Sequence, residues 1–246
     1  MARLIRLLDR ALSPSASTLE LSAAPSHHLL KVLRAKPGQA VEVFDGNGRF
    51  ARGNLGTLSS KKVAAIDISE WGNASLESPL DITLCLAISK GDRFDYALQK
   101  ATELGVNRII PMIAERSEFK LKGERQEKKK LSWQGIVDAA AEQCGRFHSP
   151  VVATPTATEK LIPSMGGEFD LKLVLHHRSA TKLDSTITPR SVALLIGPEG
   201  GLSEQEISLA ESVGFRSVLF GPRVLRTETA PIVALSILQQ FYGDFT

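Results

Sequence analysis

Apolar and polar residues alternate over short stretches in the first seventy positions, a two-residue period that predicts strands. The run VEVFDGNGRFARGNL (41–55) reads as two strands around Asp45-Gly46-Asn47-Gly48, a turn sequence suited to a tight hairpin. KVAAIDISEW (62–71) predicts another strand. Ahead of the hairpin, Ser26 is placed to cap a short helix, HHLLKVLR, that stops before Pro37-Gly38. Strands with one short helix predict a small β-barrel, and GNASLESP (72–79), small, polar and closed by Pro79, predicts a linker.

Past residue 80 the period changes. DITLCLAIS predicts a buried strand, and Asp92 is placed to cap a helix that buries Phe94, Leu98 and Ala101 and ends at Gly105. VNRIIPMIA predicts the next strand, with Pro111 arguing for its edge or end. A helix follows over about 128–144, then strands near 151–154, 171–176, 192–196 and 216–220. Ser203-Glu204-Gln205-Glu206 has the spacing of a capping box, for a helix reaching about Val213. Pro231 suits the first turn of a last helix, IVALSILQQF. Strands separated by helices predict an α/β fold with a mostly parallel sheet, so the chain divides into 1–72 and 73–246.

Composition excludes several classes. Of 246 residues, 43% are hydrophobic and 23% charged, ordinary for a globular protein and unlike a disordered or fibrous one. Cys85 and Cys144 have no metal-spaced partners and read as buried reduced thiols. The N-terminus carries charges inside its apolar stretch, and no apolar segment is long enough to span a bilayer, so a cytoplasmic protein is expected. Net charge is only +3, but residues 1–72 hold ten basic side chains against six acidic ones. A second basic run, 116–130, holds seven against three. A polyanion would feel that local excess; a solvated face is the plainer alternative.

Two formal motifs carry no chemistry. Gly46-Asn47-Gly48-Arg49-Phe50-Ala51 satisfies a dinucleotide-binding pattern, but a strand follows it where a phosphate site needs a helix. His27-His28 and His176-His177 are adjacent pairs that point apart, so no metal site is expected. Two loops are more telling. Ile196-Gly197-Pro198-Glu199-Gly200-Gly201-Leu202-Ser203 follows the strand VALLIG, and Gly221-Pro222-Arg223-Val224-Leu225-Arg226-Thr227-Glu228-Thr229-Ala230 follows SVLFG. Both fall at carboxyl ends of predicted parallel strands, where open α/β sheets bind ligands, and glycines let backbone approach a ligand closely.

GPEGGLSEQE and GPRVLRTETA resemble the signature of the RsmE family of small-subunit ribosomal RNA methyltransferases, within the SPOUT superfamily. KGDRFDYALQKATELGVNRIIP (90–111), ERSEFK (115–120), AAAEQCGR (139–146) and HHLLKVLRAKPGQAVEVFDGNG (27–48) resemble it too. One departure is Ser132-Trp133-Gln134, where the family has a basic residue ahead of Trp-Gln. The resemblance implies an N-terminal PUA-like barrel that binds RNA and a methyltransferase domain with a C-terminal trefoil knot. It also implies a homodimer and methylation of uridine N3 in 16S rRNA within the small ribosomal subunit, with S-adenosylmethionine as cofactor.

For the cofactor, the resemblance implies backbone groups of Ile196, Gly197, Leu219, Gly221 and Leu225 around adenine and ribose. Leu175, His176, Glu199, Gly200, Val224, Arg226 and Thr229 complete that pocket. Arg226 suits the developing imide anion as a fixed cation, with Arg116 as a second cationic candidate. Glu228 is either the base or a partner that orients Arg226. Arg34, Lys36, Arg49 and Arg52, with Lys120 and Lys122 from the second basic run, are the candidate RNA contacts. Two other readings stay open: a non-catalytic RNA-binding protein, and a nucleotide-dependent enzyme using GPEGG as a phosphate loop.

Overall fold

The computed structural model of the chain describes residues 4–13, 17–57, 62–117, 123–167, 169–176, 183–184 and 186–245. Contacts divide it into two units, 1–77 with 141–149 and 78–140 with 150–246. The division therefore falls after Glu77 rather than after Gly72, and the first unit includes a segment far along the chain.

The first unit contains β1 (Ile5–Leu8), β2 (Thr18–Glu20), α1 (Ala23–His27), a π-helical turn (His28–Val32), β3 (Ala40–Phe44), β4 (Arg49–Leu55) and β5 (Ala65–Asn73). They form one sheet in the order β1-β3-β4-β5-β2, with β1 parallel to β3 and the other pairs antiparallel. The predicted hairpin closes Phe44 against Phe50. The Asp45 carboxylate holds the turn by accepting from the N–H groups of Asn47 (2.7 Å) and Arg49 (3.1 Å). Ser26 does not cap the short helix. Ser22 stands at the N-cap, while Ser26 is buried, its hydroxyl donating to Leu21 O and accepting from Ala64 N. A buried hydroxyl is better used stitching two backbone segments than sitting at an exposed helix start.

The second unit holds β6 (Asp81–Ala87), α2 (Asp92–Glu103), β7 (Arg108–Ile113), α3 (Glu124–Cys144, all but its last turn), β8 (Val151–Val152), β9 (Thr156–Ala157), α4 (Thr158–Ser164), β10 (Leu171–Leu175), β11 (Ser191–Ile196), α5 (Glu204–Ser212), β12 (Arg216–Val218) and α6 (Thr229–Tyr242). The sheet is parallel throughout, in the order β12-β10-β11-β6-β7-β8, with β9 also pairing β7. Alternation splits each strand between two cores: Leu84 and Leu86 pack with α2, α3 and α6, and Cys85 and Ala87 with α4 and α5. Among the described residues, no helix is long and apolar enough to cross a membrane.

Local signals met different fates. The capping box is complete: Glu206 N donates to Ser203 Oγ, and Ser203 N donates to Glu206 Oε2. Asp92 is instead the first residue of α2, with Gly91 (φ +67°) at the N-cap, so its carboxylate meets the helix dipole rather than capping. Pro111 sits inside β7, opposite Leu86. Ile109 O accepts from Ala153 N, so by alternation Pro111 turns its missing donor to the same flank. There β8 pairs only Arg108 and Ile109, and β9 only Met112 and Ile113, leaving a gap that the proline fills without breaking a ladder bond. Cys85 is fully buried, as anticipated, but Cys144 is only half-buried.

Candidate active site

A hollow of about 580 Å³ opens at the carboxyl ends of β10 and β11, within the range that encloses small organic ligands. Its wall comes from five places: Leu175 and His176 at the end of β10, 196–202 at the end of β11, Ile207 of α5, Leu219, Phe220 and 223–227 after β12 with Ala230 of α6, and Arg93 at the start of α2. A second hollow, about 770 Å³, lies at the amino ends of the strands near Asp81, Arg108 and Lys130, the side that open α/β sheets leave unused.

The first loop is pinned from several directions. Gly201 N donates to Pro198 O (2.8 Å), closing a turn through Gly201 at φ +67°. A Cβ on Gly197 would lie 2.8 Å from Leu202 N, so this glycine is demanded by the loop's own fold and not by a ligand. Arg116 is not in the wall. Its Nη1 donates to Gly200 O (2.9 Å) and reaches Leu202 O (3.4 Å), which makes it a strut behind the loop. Buried Glu206 completes the support: one oxygen accepts from Glu115 N (2.9 Å) and Thr158 Oγ (2.6 Å), the other from Ser203 N (2.8 Å). A single carboxylate thus ties α5, α4 and the exit of β7 together.

The second loop runs from β12 back to α6. Gly221 has φ +91°, and a Cβ there would meet only Arg223 Nη2 at 3.8 Å; backbone strain, not space, favours glycine. Arg226 O accepts from both Thr229 N and Ala230 N (2.9 Å each), turning the chain into α6. Thr227 is buried, its hydroxyl 3.3 Å from Glu228 Oε2 and 3.5 Å from Glu199 Oε1. Glu199 in turn pairs with Arg93 (3.3 Å).

Leu175, His176, Ile196, Gly197, Glu199, Gly200, Leu219, Val224, Leu225 and Arg226 all line this hollow. Gly221, Thr229 and Glu228 do not: Thr229 opens α6 and Glu228 is its N-cap residue. Arg223 and Thr227, within the second loop but not singled out there, line it as well, and so does Arg93, whose signals were its place two residues beyond Gly91 and the resemblance of segment 90–111. In the first unit, Arg34, Lys36 and Arg49 are exposed, whereas Arg52 is held by Glu42 (2.7 Å) and Glu70 (3.2 Å). Those two carboxylates keep its guanidinium pKa above the ordinary arginine value. Lys120 and Lys122 lie outside the described residues. Burial pushes the Cys85 thiol up to about 12, so it is an inert core group.

Comparison with known proteins finds two families along the chain. An RNA methyltransferase domain family matches residues 76–239, and an RNA methyltransferase PUA domain family matches residues 23–68. Ribosomal RNA small subunit methyltransferase E of Bacillus subtilis is 36% identical over 233 residues, covering 91% of this chain and 90% of its own. A putative methyltransferase of Legionella pneumophila, solved in complex with the bound cofactor SAM, is 38% identical with a TM-score of 0.92, over 99% of this chain and all (100%) of that one. Ribosomal RNA small subunit methyltransferase E of Neisseria gonorrhoeae, solved bound to S-adenosyl methionine, is 37% identical with a TM-score of 0.88, over 99% and 100% of the two chains. With a methyltransferase family spanning most of the chain, relatives alike over its whole length, and a loop-walled hollow where such sheets bind ligands, the chain belongs to the ribosomal RNA small subunit methyltransferase E family.

Proposed function

We propose that the protein methylates N3 of a uridine in 16S rRNA of the small ribosomal subunit, with S-adenosylmethionine as the methyl donor. The observation that carries this reading is the hollow itself. Two successive strand-end loops and the end of β10 enclose it, in a chain whose fold matches SAM-bound relatives over nearly its full length. Apolar Ile196, Leu219 and Leu225 suit an adenine ring, and the backbone around Gly197 suits its polar edge and the ribose.

The bound donor supplies an electrophilic methyl on sulfur: the N3–carbon bond forms as the sulfur–carbon bond breaks, and the thioether leaves. The protein contributes in-line positioning, exclusion of water and charge. Uridine N3 gives up its proton to solvent ahead of transfer, and negative charge spreads onto the ring carbonyls. Arg226, in the wall and exposed to the hollow, meets that charge. Glu228, turned to Thr227 and outside the wall, supports a positioning role through Thr227 better than direct proton removal. Arg116 acts one step back, holding Gly200 and Leu202 in place. The same reading has a cytoplasmic homodimer whose two loops belong to a C-terminal trefoil knot. Exposed Phe241 (53%) is apolar surface that suits a second copy.

RNA recognition falls to the first unit, with Arg34, Lys36 and Arg49 as phosphate contacts. The test is mass-spectrometric mapping of 16S rRNA, naked and in small subunits, after incubation with the purified protein and S-adenosylmethionine. A single uridine carrying the methyl on N3 is expected. Methyl on another base or ring position overturns the specificity; cofactor binding with no transfer to either substrate favours a non-catalytic RNA-binding protein.

A further inference from the structure

The hollow carries more positive charge than its proposed cofactor accounts for. Arg93, Arg223 and Arg226 line it against one carboxylate, Glu199, among the described residues. S-adenosylmethionine itself carries a net positive charge, since sulfonium and ammonium outnumber its carboxylate. A cationic hollow repels a cationic ligand unless an anion joins them. Arg226 already faces the reacting base, so two arginines remain to be explained. Arg223 is exposed, with no hydrogen bond or ion pair among the described residues, and Arg93 has only Glu199. That pair is 3.3 Å apart, with side chains 52% and 46% exposed, so it is weak and open to exchange.

We propose that Arg93 and Arg223 grip the RNA phosphates beside the target nucleotide, and that Glu199 holds Arg93 in place until phosphate displaces it. The inference rests on the reading above and adds two RNA contacts in the methyltransferase unit, outside the PUA domain. Arginine suits the task because its planar fork pairs with phosphate oxygens two at a time. Val224, exposed between Arg223 and Arg226, adds an apolar surface on which an unstacked base can rest.

The experiment measures binding of full-length protein to a 16S rRNA transcript from about 50 to about 200 mM salt, with calorimetry for S-adenosylmethionine in parallel. Arg93→Ala and Arg223→Ala are each expected to weaken RNA binding roughly tenfold and to flatten the slope of log affinity against log salt by about one. Cofactor affinity should not fall, because each arginine lost removes repulsion of the cationic donor. Arg93→Lys should restore most of the RNA affinity, and Glu199→Gln should tighten it by releasing Arg93. An unchanged salt slope in both alanine variants overturns the proposal, as does a loss confined to cofactor affinity, which would place the arginines on the methionine carboxylate. Wild-type protein that transfers no methyl to RNA would end the functional reading as well; transfer with unaltered variant slopes ends this inference alone.

Discussion

The enclosed arginines of the first unit and the hollow-lining arginines of the second are put to opposite uses. In the first, Arg6 lies between Phe44 and Phe147, each ring centroid 4.8 Å from its guanidinium, pairs with Glu42 (2.6 Å), and donates to the carbonyls of Ala141, Glu142 and Arg146. It serves as a C-cap for the last turn of α3. Arg146, buried, pairs with Glu77 through Nε (3.0 Å) and Nη2. In the second unit, Arg93, Arg223 and Arg226 sit on loops or at a helix start around a hollow, exposed and loosely held. A guanidinium enclosed by carboxylates and aromatic rings is a structural strut, while one facing a hollow remains available to a ligand. Formal charge does not separate them.

The largest difference should come from Arg146→Ala. It strands the Glu77 carboxylate, and breaking a largely buried pair costs about 3 kcal/mol, read as a lower denaturation midpoint at unchanged slope. A loss below about 1 kcal/mol would show that water replaces the pair and that Arg146 is no more structural than the arginines around the hollow. Arg226→Ala should do the reverse: stability within about 0.5 kcal/mol of wild type, but turnover down by roughly 10²-fold, more than cofactor affinity falls. Equal losses in both would make Arg226 a scaffold for its loop.

Gly221→Ala tests whether the second loop is set by backbone. At φ +91° an alanine should cost about 1–2 kcal/mol and loosen the cofactor site, although its Cβ meets nothing closer than 3.8 Å. Unaltered cofactor affinity in calorimetry would remove this loop from the site. Among the first unit's RNA candidates the contrast is finer. Arg49→Ala should lower the salt slope of RNA binding by about one, while Arg52→Ala should hardly change it, because Glu42 and Glu70 already occupy that side chain.

The smallest effect concerns pH. An unfolded chain ionises a cysteine near 9.0, whereas Cys85 does so only at about 12. Stability from the buried thiol is therefore whole below about 9 and declines as pH rises toward about 12, by at most about 1.4 kcal/mol per unit. Denaturation of wild type and Cys85→Ala at about pH 8 and about pH 10 should show a shallower decline in the variant. Equal declines would show the thiol is solvated.

Residues 141–149 show where local reading stopped. AAAEQCGR was visible as a segment, yet nothing in its composition says that Ala141 and Phe147 pack with Phe44 and Phe50, nearly a hundred positions earlier. A chain cut before Ser78 would keep Phe147 and Arg146 but lose what they pack against, so the two units are not separable at the linker. The hairpin, the capping box and the parallel α/β order were legible because each is a short-range rule: an Asx turn, a reciprocal cap, a period. The site was legible through its two glycine-bearing loops, for the same reason.

What local rules could not reach was the use of each charge. Residue type and spacing determined the α/β class, the hairpin and the loops that wall the hollow. Only the tertiary structure decided that Arg116 and Glu206 brace those loops, that Arg52 is occupied, and that Arg93 joins Arg223 and Arg226 at the hollow. The reason is physical. Local conformation is governed by neighbours within a few positions, but the partner that neutralises a charge or leaves it available arrives from anywhere in the chain.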